Sequence, residues 1–275
     1  SAGLGKSPKE KDPDVYDHKY IHCDVLVVGA GISGILAAKN AAKNNLKTLL
    51  VDEKNEIGGA TIYQNREFNK IEAQSSSDWL KKEIQELKNV KNLEVKVRTS
   101  VAAYHGYNYL LARENLTDHL EKKDKQGKIR QRLLKIRAKK VILATGALER
   151  PLIFNNNDRP GIMLSSAVNK YADFYGVVCG QKTVFFTNND SAYESAFCLH
   201  NKGIKVEAII DIRDNSNSKI VKAVEDAGIK IHWSHTVVDT SGYKRLKNIS
   251  VMRLSNDGMS VTGNRIKISS DCLGV

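Results

Sequence analysis

The residues with the most chemistry in them are a run of glycines. Gly29-Ala30-Gly31-Ile32-Ser33-Gly34 matches G-x-G-x-x-G, a spacing that lets a backbone wrap a pyrophosphate. The first glycine permits a tight turn. The second removes the Cβ where phosphate oxygens approach, and the third lets a helix pack closely on a strand. A helix that starts there offers unpaired N–H groups and the positive end of its dipole to the phosphates. An acid is then needed at the end of the following strand to accept from the ribose hydroxyls. Asp52 stands 23 residues after Gly29 and is favoured by spacing, with Glu53 as the alternative. The competing reading is a glycine turn with no ligand.

Other chemistries find little support. The four cysteines, at 23, 179, 198 and 272, form no C-x-x-C pair, which argues against a zinc ribbon and a dithiol redox motif. Cys23 and Cys198 read as core thiols. Among seven histidines only His232-x-x-His235 has a metal-like spacing. On one strand the two would face opposite sides, so no metal is expected. Asp190 and His200 have no nucleophile placed beside them, and no serine sits on a G-x-S-x-G elbow. Tyr107 and Tyr109 would share one strand face and read as packing. No catalytic residue is assigned.

The elements that must position the glycines follow from periodicity. Asp24–Val28 is a short apolar strand that ends in glycine, Ile35–Asn44 is helix-forming, and Lys47–Val51 is a second strand; together they make a βαβ unit. Ser77–Leu87 carries Trp79, Leu80, Ile84 and Leu87 at helical spacing, with Ser77 as its N-cap. Strands are expected at 93–97, 101–104, 109–113, 133–136 and 141–143, an antiparallel insertion over a parallel sheet. A second βαβ unit is expected from Thr183: strand 184–186, helix 191–201, strand 206–210. Helix 219–227, strand 229–233 and hairpin-like strands at 246–268 follow. Aligned on the strand, its glycine positions hold Thr187, Asn189 and Ala192. A side chain at Asn189 stands where bare backbone is required, so no dinucleotide is expected there.

The fold class is therefore α/β: two Rossmann-like three-layer modules in tandem, glutathione-reductase-like, with a small antiparallel insertion. The division reads as an arm at 1–22, a first dinucleotide-binding domain at 23–150 and a connection at 151–180. A second domain with a degenerate fingerprint covers 181–268, and 269–275 begins a strand returning to the first domain. Residues 1–19 are polar, hold Pro8 and Pro13, lack an initiator Met and have no apolar signal-peptide core, so the chain reads as a piece of something longer. The 275 residues include 43 Lys and Arg against 31 Asp and Glu, a net charge of +12. The lysines are scattered, and the one dense stretch, Glu121–Lys140, mixes in acids and reads as a solvated hairpin turn, so no nucleic-acid partner is expected. No apolar run is long enough to span a membrane. Lone thiols fit a reducing, cytoplasmic setting.

Two further motifs narrow the reading. Gly58-Gly59 follows the acid, and Val141–Gly146 is an apolar strand ending Ala-Thr-Gly. Both resemble the two-dinucleotide-binding flavoproteins. Where the disulfide reductases of that superfamily carry a redox cysteine, this chain reads Ala60-Thr61-Ile62-Tyr63-Gln64-Asn65, so that activity is not expected. The segments Ala144–Met163 and Thr187–Tyr193, the opening Ala2–Gly5 and the later Asp12-Pro13-Asp14 resemble the α subunit of heterotetrameric sarcosine oxidase. The resemblance implies a non-covalent NAD in the first module, with FAD as the alternative. Carried over, the binding positions are Gly29, Ala30, Gly31, Ile32, Ser33, Gly34, Asp52 or Glu53, Gly59, Ala60, Thr61, Val101, Ala144, Thr145 and Gly146. It also implies β, γ and δ partner subunits, FAD and FMN elsewhere in the complex, and a folate domain that this chain lacks. The implied reaction takes sarcosine, tetrahydrofolate and oxygen to glycine, methylenetetrahydrofolate and hydrogen peroxide. A cofactor-holding scaffold and an FAD-dependent amine oxidoreductase remain as alternatives.

Overall fold

The computed structural model describes Gly5, Ser7 and residues 9–63 and 70–275; the Ala2–Leu4 and Gln64–Asn65 parts of the motifs above lie outside them. The chain divides into two compact units, residues 1–61 with 77–146, and residues 62–76 with 147–275.

In the first unit β1 (Val15–Val28) leads into α1 (Ile32–Lys43) and β2 (Thr48–Val51). A 3-10 turn covers Gly59–Ile62, and the two-residue strands β3 (Lys70–Ile71) and β4 (Gln74–Ser75) form a hairpin in the second unit's share of the chain. Next come α2 (Ser76–Leu87), β5 (Leu93–Lys96), β6 (Thr99–His105), β7 (Tyr109–Asn115), the single turn α3 (Lys122–Lys125) and β8 (Ile129–Leu143). The strand order is β5-β2-β1-β8-β7-β6. Strands β5, β2, β1 and β8 run parallel, and β7 and β6 are antiparallel additions. Period-two alternation splits the core. Val25, Val27 and Leu50 pack with Ala30 and Ala38 of the glycine loop and α1. Leu26, Leu49 and Val51 pack with Leu110, Ala112, Leu134 and Ile136 of the antiparallel layer. Three layers result, as the sequence predicts.

Three sequence expectations need correction here. The segment at 133–136 and that at 141–143 are one strand, because β8 is long enough to serve both layers. Residues 15–22 are not an arm: β1 begins at Val15 and its first half pairs with β8, for example Ile21 with Ile136. Of residues 15–22 only Ile21 is buried, and ion pairs hold the edge of the ladder, so no apolar period is visible. Arg132 grips Asp17 with two bonds of 2.8 and 3.0 Å, and Arg130 bonds Asp14 and Asp118 at 2.6 Å each. Tyr107 and Tyr109 do not share a strand face, since Tyr107 sits in the Gly106–Asn108 turn with φ +58° while Tyr109 opens β7.

One buried charge anchors the antiparallel layer. Glu114, 7% exposed, lies 2.7 Å from the Lys96 ammonium and 3.7 Å from Arg132. Glu114→Ala removes the buried carboxylate shared by two cations, leaving Lys96 only the exposed Glu94 at 3.4 Å and Arg132 only Asp17. A loss of about 3 kcal/mol in a urea melt is expected. A loss under about 1 kcal/mol would mean that water screens the cluster.

The second unit repeats the design. It holds β9 (Ile162–Met163), α4 (Ser165–Asp173), β10 (Thr183–Thr187), α5 (Ser191–Asn201), β11 (Val206–Asp211), α6 (Lys219–Asp226) and β12 (Ile231–His232). The chain continues through β13 (His235–Ser241), β14 (Asn248–Leu254), β15 (Val261–Ser269) and β16 (Cys272–Gly274). A parallel sheet of order β12-β11-β10-β16-β9 carries the helices on one face. The antiparallel β13-β14-β15 sheet packs on the other through Val237, Ile249 and Val251. The stretch at 151–180 is thus part of this unit, since β9 joins its sheet. The last strand is a further correction. β16 does not return to the first sheet but pairs between β10 and β9, with Leu273 beside both Val184 and Ile162. It occupies beside β10 the place that β8 occupies beside β1. Its residues Cys272, Leu273 and Gly274 are all buried, and this apolar burial ties it to the second core.

Candidate functional site

The glycine loop joins the end of β1 to α1, and each glycine meets a different constraint. Gly29 adopts φ +98°, and a Cβ there would collide with the Ala144 carbonyl, 2.8 Å from its carbon. Its N–H donates to the Val51 carbonyl at 2.8 Å, while Ala144 N–H donates to Val28 O at 2.8 Å. A Cβ on Gly34 would fall inside the Gly29 carbonyl oxygen and 3.4 Å from the Ala144 methyl. Gly29 and Gly34 are therefore needed for the fold itself. Gly31 is different. With φ −75° it is the N-cap of α1 and needs no left-handed geometry. A Cβ there would meet nothing closer than the Gly59 Cα at 4.0 Å. Space is kept open in front of a bare backbone, at a helix start where no side chain caps the N–H groups and no acid lies in the first turn. This geometry fits a pyrophosphate.

The second glycine pair closes on the first. Gly58 N–H donates to the Ala30 carbonyl at 2.7 Å, and Thr61 N–H to the Gly58 carbonyl at 3.1 Å. Gly59 has φ +59°, and a Cβ on it would come within 2.9 Å of the Gly31 Cα. Gly58, absent from the predicted site set, thus holds the loop; the Gly-Gly dipeptide was the available signal. Thr61 is buried, Ile32 is half-buried, and Ser33 and Ala60 are exposed.

Asp52 and Glu53 separate cleanly. Asp52 is buried, with Oδ2 accepting from Ala30 N at 2.6 Å and Oδ1 from Lys54 N at 2.8 Å. It holds the glycine loop and its own turn at once, while Glu53 is exposed. The start of β6 is tied to the same point, because Thr99 N–H donates to the Asp52 carbonyl at 2.7 Å. Half-buried Val101 follows two residues on. Thr145 and Gly146 are exposed beyond the end of β8. Asp52→Ala strips the acceptor from a buried N–H. It is expected to cost about 2–3 kcal/mol in a thermal melt, with a fall in dinucleotide affinity, while Glu53→Ala leaves the melt unchanged. The reverse ranking would make Glu53 the working acid.

The equivalent position in the second unit is filled from within. Asn189 Oδ1 accepts from Ser191 N at 2.9 Å and Ser191 Oγ at 2.6 Å, closing a side-chain turn over the first N–H of α5. Ala192 is fully buried. Glu194 lies in the first helical turn. Asp211, the register equivalent of Asp52, is 0% exposed. It accepts from the Tyr193 hydroxyl at 2.8 Å and pairs with Arg213 at 2.7 Å. Burial, and then the bond to Asp211, push the Tyr193 phenol up. Helix start and acid are both occupied by side chains of the unit itself.

The remaining candidates are the cysteines and the paired histidines. Burial pushes the Cys23 thiol up to about 11 and the Cys272 thiol up to about 12, and raises Cys179 and Cys198 as well. His232 and His235 do not face apart: their ring centroids are 5.5 Å apart. They lie on two different strands, and the chain turns between them through Ser234 at φ +53°. Among the described residues no group of three or more His, Cys, Asp or Glu side chains could hold a metal. No helix among them is long and apolar enough to cross a membrane.

Fold and site define a dinucleotide-binding class. Residues 23–267 match the pyridine nucleotide-disulphide oxidoreductase family, and the chain belongs to it. Its domains bind a flavin or nicotinamide dinucleotide. Within that class the chain is similar to sarcosine oxidase subunit alpha of Corynebacterium sp. (strain P-1), 39% identical over 257 residues covering 93% of this chain and 26% of the relative. The same subunit of Rhizobium meliloti (strain 1021) is 34% identical over 94% of this chain and 26% of the relative. The chain therefore spans about a quarter of the length of these relatives. Among solved structures, L-proline dehydrogenase from P. horikoshii has a TM-score of 0.64 at 18% identity, covering 99% of this chain and 44% of that one. Thioredoxin reductase from T. acidophilum has 0.64 at 17%, covering 92% and 76%. These two likenesses describe the fold.

Proposed function

We propose that the first unit holds NAD, non-covalently, as the NAD-binding portion of a sarcosine oxidase α subunit. The observation that carries the cofactor site is the open cradle at Gly31, faced by Gly59 and set at an uncapped helix start. Its N–H groups hold the pyrophosphate, Gly59 and Thr61 border it, and Asp52 fixes the loop and presents a carboxylate toward the ribose. That negative charge disfavours a 2′-phosphate, so NAD is bound in preference to NADP. The 34–39% identity to sarcosine oxidase α subunits supports the assignment of the whole protein. In this reading the amine is oxidised on a flavin carried by another subunit, and the chain supplies a cofactor-holding scaffold and contacts to the β, γ and δ subunits. No residue described above is placed to do the oxidation. The sarcosine-to-glycine reaction with tetrahydrofolate and oxygen belongs to the assembled complex.

The test is release of the cofactor. Denaturing the purified chain should yield NAD in a protein without visible absorption; a yellow protein releasing FAD would overturn the NAD assignment in favour of an FAD-dependent oxidoreductase. Calorimetric titration of cofactor-free chain with NADH should give one site per chain, since Asn189, Tyr193 and Arg213 fill the second. Two sites would refute the closed second unit. Bound NAD should also raise the melting temperature by mass action.

A further inference from the structure

The antiparallel layer of the first unit has an outer face that the dinucleotide site does not use. Residues of one parity on β1 and β8 build it: Tyr16 and Tyr20 are 51% and 62% exposed, and Leu133 on β8 is 40% exposed. The register sets Tyr20 beside Lys135 and Tyr109 beside Arg137. The Lys135 ammonium lies 4.9 Å from the Tyr20 ring centroid and 3.3 Å from its hydroxyl, and the Arg137 guanidinium lies 5.0 Å from the Tyr109 centroid. Arg113 is exposed on the same parity, across from Leu133. The layer's acids point elsewhere or are engaged. Glu114 and Asp17 are on the opposite parity. Asp12 at the border accepts from the Tyr16 hydroxyl, and Asp24 is bonded to Lys139 and to the Lys47 N–H.

We propose that this face docks an acidic protein surface with an apolar centre, carboxylates meeting Lys135, Arg137 and Arg113 and the apolar centre meeting Leu133 and the tyrosine edges. Charge complementarity selects the occupant: a broad patch of cations and aromatics without a free carboxylate repels basic surfaces and draws acidic ones. Tyrosine and arginine are also the side chains that concentrate binding energy at protein interfaces. A single-stranded nucleic acid is the other polyanion to consider. It needs bare ring faces for base stacking, and here Lys135 and Arg137 already lie over the Tyr20 and Tyr109 rings. The inference does not depend on which dinucleotide is bound.

The test uses the chain with a fluorescein-labelled peptide of alternating glutamate and leucine, and with labelled oligothymidylate of equal length, read by anisotropy. The peptide should bind with an affinity that falls with salt. The double substitution Lys135→Glu with Arg137→Glu should weaken it at least about tenfold, without lowering the melting temperature. Lys135→Gln with Arg137→Gln, which keeps side-chain bulk, should give an intermediate loss if the reversed variant folds poorly. Hydrogen exchange should slow on adding peptide at 16–22 and 131–137. Unchanged peptide affinity in both variants overturns the proposal. So does oligothymidylate binding more tightly than peptide and being lost in the variants, or a dimer of the chain that the variants dissolve.

Discussion

Gly34→Ala is expected to be the most damaging single substitution to the fold. A methyl group there overlaps the Gly29 carbonyl oxygen, which is backbone and cannot rotate away, and presses on the Ala144 side chain. Relief requires lifting α1 off β1, against the burial of Ile35 and Ala38, both 0% exposed. The cost should exceed about 3 kcal/mol, the top of the usual range for overpacking, because the clash is with backbone. The measurement is a urea melt of the variant beside the parent. A loss under about 1 kcal/mol would mean that α1 is free to shift. Gly29→Ala should behave similarly, because its φ of +98° adds conformational strain to the clash with Ala144.

Gly31→Val should do the opposite: leave the fold and abolish the ligand. The backbone at Gly31 is already in a region open to any residue, and a Cβ there has only the Gly59 Cα near it, at 4.0 Å. The added side chain occupies the cradle itself and shields the N–H groups at the start of α1. Dinucleotide affinity should fall at least about 100-fold, close to 2.7 kcal/mol, with a cofactor-free melting temperature near that of the parent. Retained affinity would remove the pyrophosphate from this loop. The contrast between two glycines three residues apart is itself the diagnostic. Loss of stability at Gly34 and loss of binding at Gly31 is the pattern a dinucleotide loop gives, whereas a merely structural turn would lose stability at Gly34 and have no binding to lose at Gly31.

Much of this was legible in order along the chain. The glycine spacing, the acid at the end of the next strand and the paired Gly58-Gly59 are local in sequence, and each follows from what a short backbone segment must do beside a phosphate. The helices expected at 35–44 and 191–201 carry their own periodicity, and the structure has them at 32–43 and 191–201. The degenerate second fingerprint was also visible, since Asn189 cannot offer bare backbone.

What the local sequence determined, then, was where the helices and the more apolar strands form and where a dinucleotide loop can exist. Tertiary structure decided which strands share a sheet. Residues 15–22 carry too few apolar side chains to announce a strand, and only the ladder to β8 with the Arg130 and Arg132 ion pairs makes them one. The strand at 272–274 reads alike for either sheet, and only apolar burial beside Leu273's neighbours Val184 and Ile162 assigns it to the second. Tertiary structure also assigned roles among equivalent residues. Asp52 and Glu53 are adjacent carboxylates, yet the bend that follows β2 turns one inward to Ala30 N–H and the other to water. His232 and His235 meet because a turn places them on two strands, which a strand-parity argument cannot foresee. Pairing partners distant in sequence carry these choices, and no window along the chain contains them.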